Sequence, residues 1–100
     1  MKRNKLVRNL IPKMIASKGE PCTAHSANAE EFRQKLCEKL VEEAEEFQEK
    51  PSIEELADIK EVYYAICEEF GYADNQVERV RLEKRNRLGG FDQRIILDES

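Results

Sequence analysis

Glu42-Glu43-Ala44-Glu45-Glu46-Phe47-Gln48-Glu49-Lys50-Pro51-Ser52-Ile53-Glu54-Glu55-Leu56-Ala57-Asp58 holds one sharp break in an otherwise helical stretch of this 100-residue chain. The break is Lys50-Pro51-Ser52. Proline biases the residue before it away from helix and cannot donate to a helical turn. Ser52 is a good N-cap, and Glu55 stands at capping-box spacing from it. So short a linker folds the two flanking helices into an antiparallel hairpin.

Upstream of the break, Ser26 or Asn28 can cap a helix running to about Glu49. Its apolar positions Phe32, Leu36, Leu40 and Phe47, with Cys37, Val41 and Ala44 alongside, follow the helical period. Downstream, Ile53, Leu56, Ile59, Tyr63, Ile66 and Phe70 form the main stripe, with Val62 and Cys67 beside it, and Gly71 ends the helix. Further out, Pro12 opens a short helix through Ala16 or Ser17, closed by Gly19, and the residues after Pro21 read as a loop. Another helix, weakly amphipathic through Val77, Val80 and Leu88, spans about Asp74 to Leu88 and stops at Gly89-Gly90. Arg94-Ile95-Ile96-Leu97 reads as a short extended arm. The expected fold is all-α: one domain over residues 1–100, a helical bundle built around the antiparallel hairpin, with a short N-terminal helix, a third helix and a C-terminal extended arm.

A chain of this length buries only roughly 60–68% of its unfolded surface, so its core is thin and self-association as a dimer or a higher oligomer is expected. A net charge of −4 and a pI near 5.2 disfavour a DNA or RNA polymer and an anionic membrane as partners. No stretch reaches the roughly 18 apolar residues of a membrane span, and no apolar secretion signal opens the chain. Cys22, Cys37 and Cys67 lack metal-ligand spacing. Cys37 and Cys67 sit at helical positions as small core residues, which points to a reducing cytoplasm. His25 lies in the loop region and reads as structural or exposed.

The carboxylates carry the functional signal. Glu43/Glu46 and Glu55/Asp58 are pairs three residues apart, one pair on each arm of the hairpin. Glu43 continues the stripe of Leu36, Leu40 and Phe47, and Glu42 neighbours Glu46. Glu61 follows Asp58 one turn on, whereas Glu45, Glu49 and Glu54 face solvent. Two readings fit: a solvated acidic face, or a site for a hard cation. Against the first, like charges three or four apart cost a few tenths of a kcal/mol per pair. Lys39 can offset Glu42 and Glu43 but not Glu46. Oxygen donors favour magnesium, and the absence of Glu-x-x-His pairs disfavours a di-iron centre. Magnesium held in this way usually acts on phosphates. Lys5 and Arg8 near the start, and Lys84, Arg85 and Arg87 late in the chain, can neutralise a polyphosphate. Gly89-Gly90 lacks the Walker pattern and reads as a helix stop or a close phosphate approach. Tyr63, Tyr64, Phe70 and Tyr72 suit core packing or base stacking.

These residues resemble the all-α nucleoside triphosphate pyrophosphohydrolases, the MazG-like group and its relative phosphoribosyl-ATP pyrophosphohydrolase. The group's signature is Glu-x-x-Glu on one helix and Glu-x-x-Asp on the next. Lys39-Leu40-Val41-Glu42-Glu43-Ala44-Glu45-Glu46 and Glu54-Glu55-Leu56-Ala57-Asp58-Ile59 match it. Small members also carry Lys-Leu-Val-Arg-Asp-Lys-Ile-Pro and Arg-Gly-Gly-Phe. This chain keeps Lys5-Leu6-Val7-Arg8, Ile11-Pro12 and Gly89-Gly90-Phe91, and departs at Asn9, Leu10 and Leu88. The resemblance implies magnesium ligands Glu43, Glu46, Glu55 and Asp58, with Glu42 or Glu61 in support, and Glu43, Glu46 and Glu42 are the expected catalytic carboxylates. The resemblance also implies cleavage of a nucleoside triphosphate between its α and β phosphates and a helical bundle completed across a homodimer or homotetramer. Lys5, Arg8, Lys84 and Arg87 are the substrate-binding residues expected from their charge. A phosphoribosyl nucleotide hydrolase, and a non-catalytic helical homo-oligomer that binds a partner, remain the rival expectations.

Overall fold

The computed structural model describes residues 4–100. Among them the order is α1 (Ile11–Ser17), α2 (Ala29–Glu49), α3 (Ile53–Phe70) and α4 (Asp74–Leu88), with no strand. The fold is all-α and its centre is the α2–α3 hairpin.

Local chemistry sets the boundaries. Asn28 Oδ1 accepts from the Glu31 amide at 2.9 Å and opens α2, so of the two candidate caps it is Asn28, not Ser26, that serves. Ser52 Oγ accepts from the Glu55 amide at 3.1 Å and opens α3 immediately after Pro51. Gly71 closes α3 at φ +74, a left-handed conformation that a β-carbon disfavours. At the start of α4, the Gln76 side chain accepts from the Ala73 amide at 3.1 Å. Alanine has no oxygen with which to return that bond.

The interior is small. Leu36, Val62 and Cys67 are the buried apolar side chains, and Phe32, Phe47, Ile59, Tyr63, Ile66 and Phe70 are half-buried around them. Arg33 ties α2 to α3 far from the turn: its Nε donates to Glu69 Oε2 at 3.0 Å and its guanidinium lies 5.5 Å from the Phe70 ring centre. The expected stripes need correction: on α2, Leu40, Val41 and Ala44 are exposed, so the covered face narrows to Phe32, Leu36, Glu43 and Phe47. Cys37 is exposed rather than a core residue. Ile53 and Leu56 are 87% and 55% exposed. From Ile59 onward the expected α3 stripe is buried or half-buried, with Val62 and Cys67 the most enclosed, and in the first turn it is Glu55 that is covered in place of Ile53 and Leu56.

Helix α4 does not pack along the hairpin. Tyr63 on α3 holds its first turn, the hydroxyl donating to Asp74 Oδ1 at 2.7 Å. That bond to a carboxylate raises the Tyr63 pKa well above the phenol range. Beyond this joint α4 is mostly exposed, as its charged faces require. Residues 91–100 form no regular structure apart from a turn, and Phe91, Ile95, Ile96 and Leu97 are open to solvent. The molecule measures 53 × 31 × 25 Å with a radius of gyration of 17.5 Å. A closely packed chain of this length has about 13 Å, so one copy leaves apolar surface uncovered. No helix of the described residues is long and apolar enough to cross a membrane.

Candidate metal centre

Helix α2 supplies Glu42, Glu43 and Glu46, and α3 supplies Glu55 and Asp58. Ser52 determines where α3 begins, which puts Glu55 in its first turn and Asp58 one turn on. The antiparallel hairpin then brings Glu43 opposite both. Two overlapping sets result, Glu42/Glu43/Glu46 and Glu43/Glu55/Asp58, with ligand oxygens in each set lying within 4.8 Å of one another. Glu43 belongs to both.

Burial separates this cluster from an ordinary acidic surface. Glu43 is 5% exposed, as enclosed as the apolar core. Its Oε2 and the Oε2 of Glu55 are shut from solvent with no hydrogen-bond partner. Burial, reinforced by the Glu46 charge, pushes the Glu43 carboxyl above its ordinary value, with Lys39 opposing and Asp58 adding to the rise. Glu55 is raised for the same leading reasons, desolvation and then Glu46. An orphaned buried acceptor costs stability. The α2 dipole does not relieve this, since its last turn carries no base and its C-terminal end favours cations.

Among the described residues, three cations approach the rim. Lys39 Nζ lies 3.2 Å from Glu42 and 3.5 Å from Glu43, as the helical spacing anticipated. Lys5 Nζ stands 3.8 Å from Glu42. Arg8 Nη2 donates to Asp58 Oδ1 at 2.6 Å. Sequence reasoning assigned Lys5 and Arg8 to phosphate and missed that they face the candidate ligands. No local pattern signalled this, since the contact joins residues far apart in the chain. Lys84 and Arg87 are exposed on α4 and are not brought to the cluster within this chain. Glu61 is exposed and outside both sets. His25, also exposed, pairs with Glu31 at 2.9 Å. Tyr63 and Phe70 are half-buried, which favours their packing role over base stacking, whereas Tyr64 and Tyr72 remain open.

The donor set is all oxygen and anionic, which suits magnesium, manganese or calcium rather than a soft metal. Opposed oxygens around magnesium lie about 4 Å apart and around calcium about 5 Å apart. Small side-chain movements therefore bring these carboxylates onto one ion. The two unpartnered buried oxygens are the feature that a cation would satisfy. The chain is thus an all-helical protein with a carboxylate cluster able to coordinate a divalent metal, as metal-dependent hydrolytic chemistry requires. No protein-family model, curated protein or solved structure matches it.

Proposed function

We propose that the protein is a magnesium-dependent nucleoside triphosphate pyrophosphohydrolase of the MazG-like kind. The observation that carries this reading is the buried Glu43 carboxylate, unsatisfied at Oε2 and surrounded by Glu46, Glu55 and Asp58. Glu43, Glu46, Glu55 and Asp58 would hold the ion. Magnesium, when bound, polarises the phosphoryl oxygens and offsets charge that develops in the transition state.

Glu46 is exposed and has no basic partner among the described residues. With Glu42 beside it, it would orient a water molecule and accept its proton. The water oxygen bonds to the α phosphorus, and the bond from that phosphorus to the bridging oxygen breaks. Pyrophosphate leaves with the bridging oxygen, and the nucleoside monophosphate remains. Lys5 and Arg8, at the rim, serve the phosphate oxygens. Lys84 and Arg87 would reach a substrate only from another copy of the chain. The exposed Leu40, Val41, Leu56 and Tyr64 and the open C-terminal arm support such an assembly, a homodimer or homotetramer.

Incubation of the protein with a panel of nucleoside triphosphates and magnesium tests the reaction. Pyrophosphate and monophosphate are the expected products, and Glu43→Gln abolishes their release. Orthophosphate as the sole phosphorus product refutes cleavage at the α–β bond. Turnover of a phosphoribosyl nucleotide in place of every triphosphate would transfer the same site to the rival substrate.

A further inference from the structure

The segment leading into α1 bridges both halves of the acidic cluster. Lys5 reaches Glu42 on α2 and Arg8 reaches Asp58 on α3. Leu6 and Val7 between them are half-buried, so apolar contact helps to hold this strap down. Asp58 is thereby claimed twice: it belongs to the set with Glu43 and Glu55, and it accepts from Arg8 at 2.6 Å. The two claims differ in strength. The Arg8 and Asp58 side chains are 57% and 38% exposed, and half-solvated pairs of this kind contribute little. The buried Oε2 atoms of Glu43 and Glu55 meanwhile have no hydrogen-bond partner.

We propose that Arg8 is the internal counter-cation of the metal-free site, and that a divalent ion at Glu43, Glu55 and Asp58 displaces it and frees its guanidinium for a phosphate of the substrate. This rests on the metal reading of the cluster. Linkage then makes the effect reciprocal: whatever free energy holds Arg8 on Asp58 is subtracted from metal binding. Once released, the planar guanidinium suits a phosphate group, to which it can donate two parallel hydrogen bonds. A structural Arg8 that merely fixes the Asp58 rotamer predicts the opposite sign, since its loss would weaken the metal.

Calorimetric titration of the full chain with magnesium, and then with pyrophosphate in saturating magnesium, separates these cases. Arg8→Gln is expected to bind the metal about two- to fivefold tighter and magnesium pyrophosphate several-fold weaker. Lys13→Gln, which removes the same charge from an exposed position on α1, changes neither. In the unaltered protein, magnesium should speed exchange at the Ile11 and Met14 amides, which bond to the Arg8 and Leu10 carbonyls at 3.1 and 3.0 Å. Metal uptake with no gain in Arg8→Gln and no change in exchange overturns the strap alone. No uptake by the unaltered protein at millimolar magnesium overturns the metal reading with it.

Discussion

The two ends of the α2–α3 interface are built on opposite terms. Far from the turn, Leu36, Val62 and Cys67 are packed dry and Arg33 clamps Glu69, each contact stabilising the hairpin. Toward the turn, the same two helices bury Glu43 beside Glu55 and Asp58 and leave two carboxylate oxygens unpaired. The apolar end accounts for the fold. The acidic end opposes it, at a cost that a bound cation would offset. The strongest test of this contrast lies in substitutions whose effects have opposite signs at the two ends.

The largest effect is expected at the apolar end. Leu36 is 1% exposed, and Leu36→Ala should cost about 2–5 kcal/mol, enough to leave much of the population unfolded, measured by urea denaturation. A loss below about 1 kcal/mol would show that the hairpin core lies elsewhere.

Glu43→Gln should act in the reverse direction. Without metal at pH 7 it raises the melting temperature by a few degrees, the scale of about 1 kcal/mol in a chain of this size. The same variant loses the rise in melting temperature that magnesium gives the unaltered protein. A destabilised, metal-responsive Glu43→Gln would dissolve the contrast between the two ends.

The pH dependence sharpens it further. The Glu43 and Glu55 carboxyls titrate above the ordinary value of 4.5 in the folded chain. Folding therefore takes up protons between the unfolded and folded values, and these two groups make stability fall as pH rises through that interval. Melting curves of the metal-free protein from pH 4 upward should show this decline relative to Glu43→Gln, in which the Glu43 share of it is absent. An identical pH profile in both proteins would remove Glu43 as its source.

The smallest effect belongs to the clamp. Arg33→Gln removes a partly exposed ion pair and a guanidinium–ring contact, and should cost about 0.5–1 kcal/mol, read by the same denaturation, with magnesium affinity unchanged.

How legible the molecule was varied along the chain. The helix limits at Asn28, Ser52, Gly71 and Leu88, and the hairpin itself, follow from caps, proline and glycine, which act within a few residues of where they stand. The place of Glu43 on the inner stripe was legible from the same helical period as Leu36 and Phe47, although Leu40 between them proves exposed. The facing surface of α3 was not. Ile53 and Leu56 have the apolar character of core residues, yet both are exposed and Glu55, in the same first turn of α3, is the more covered residue. Cys37 went the same way: its character suits a core that the hairpin is too narrow to enclose.

Short-range chemistry, then, was enough to specify four helices, their order and the helical arms on which the acids ride, since caps and periodicity need no partner far away. Which acids are buried, which oxygens lack partners and which cations stand over them depended on the rotation of α3 against α2 and on the path of the strap. Both are settled by contacts between residues distant in the chain, and no local pattern of side chains encodes an angle between two helices.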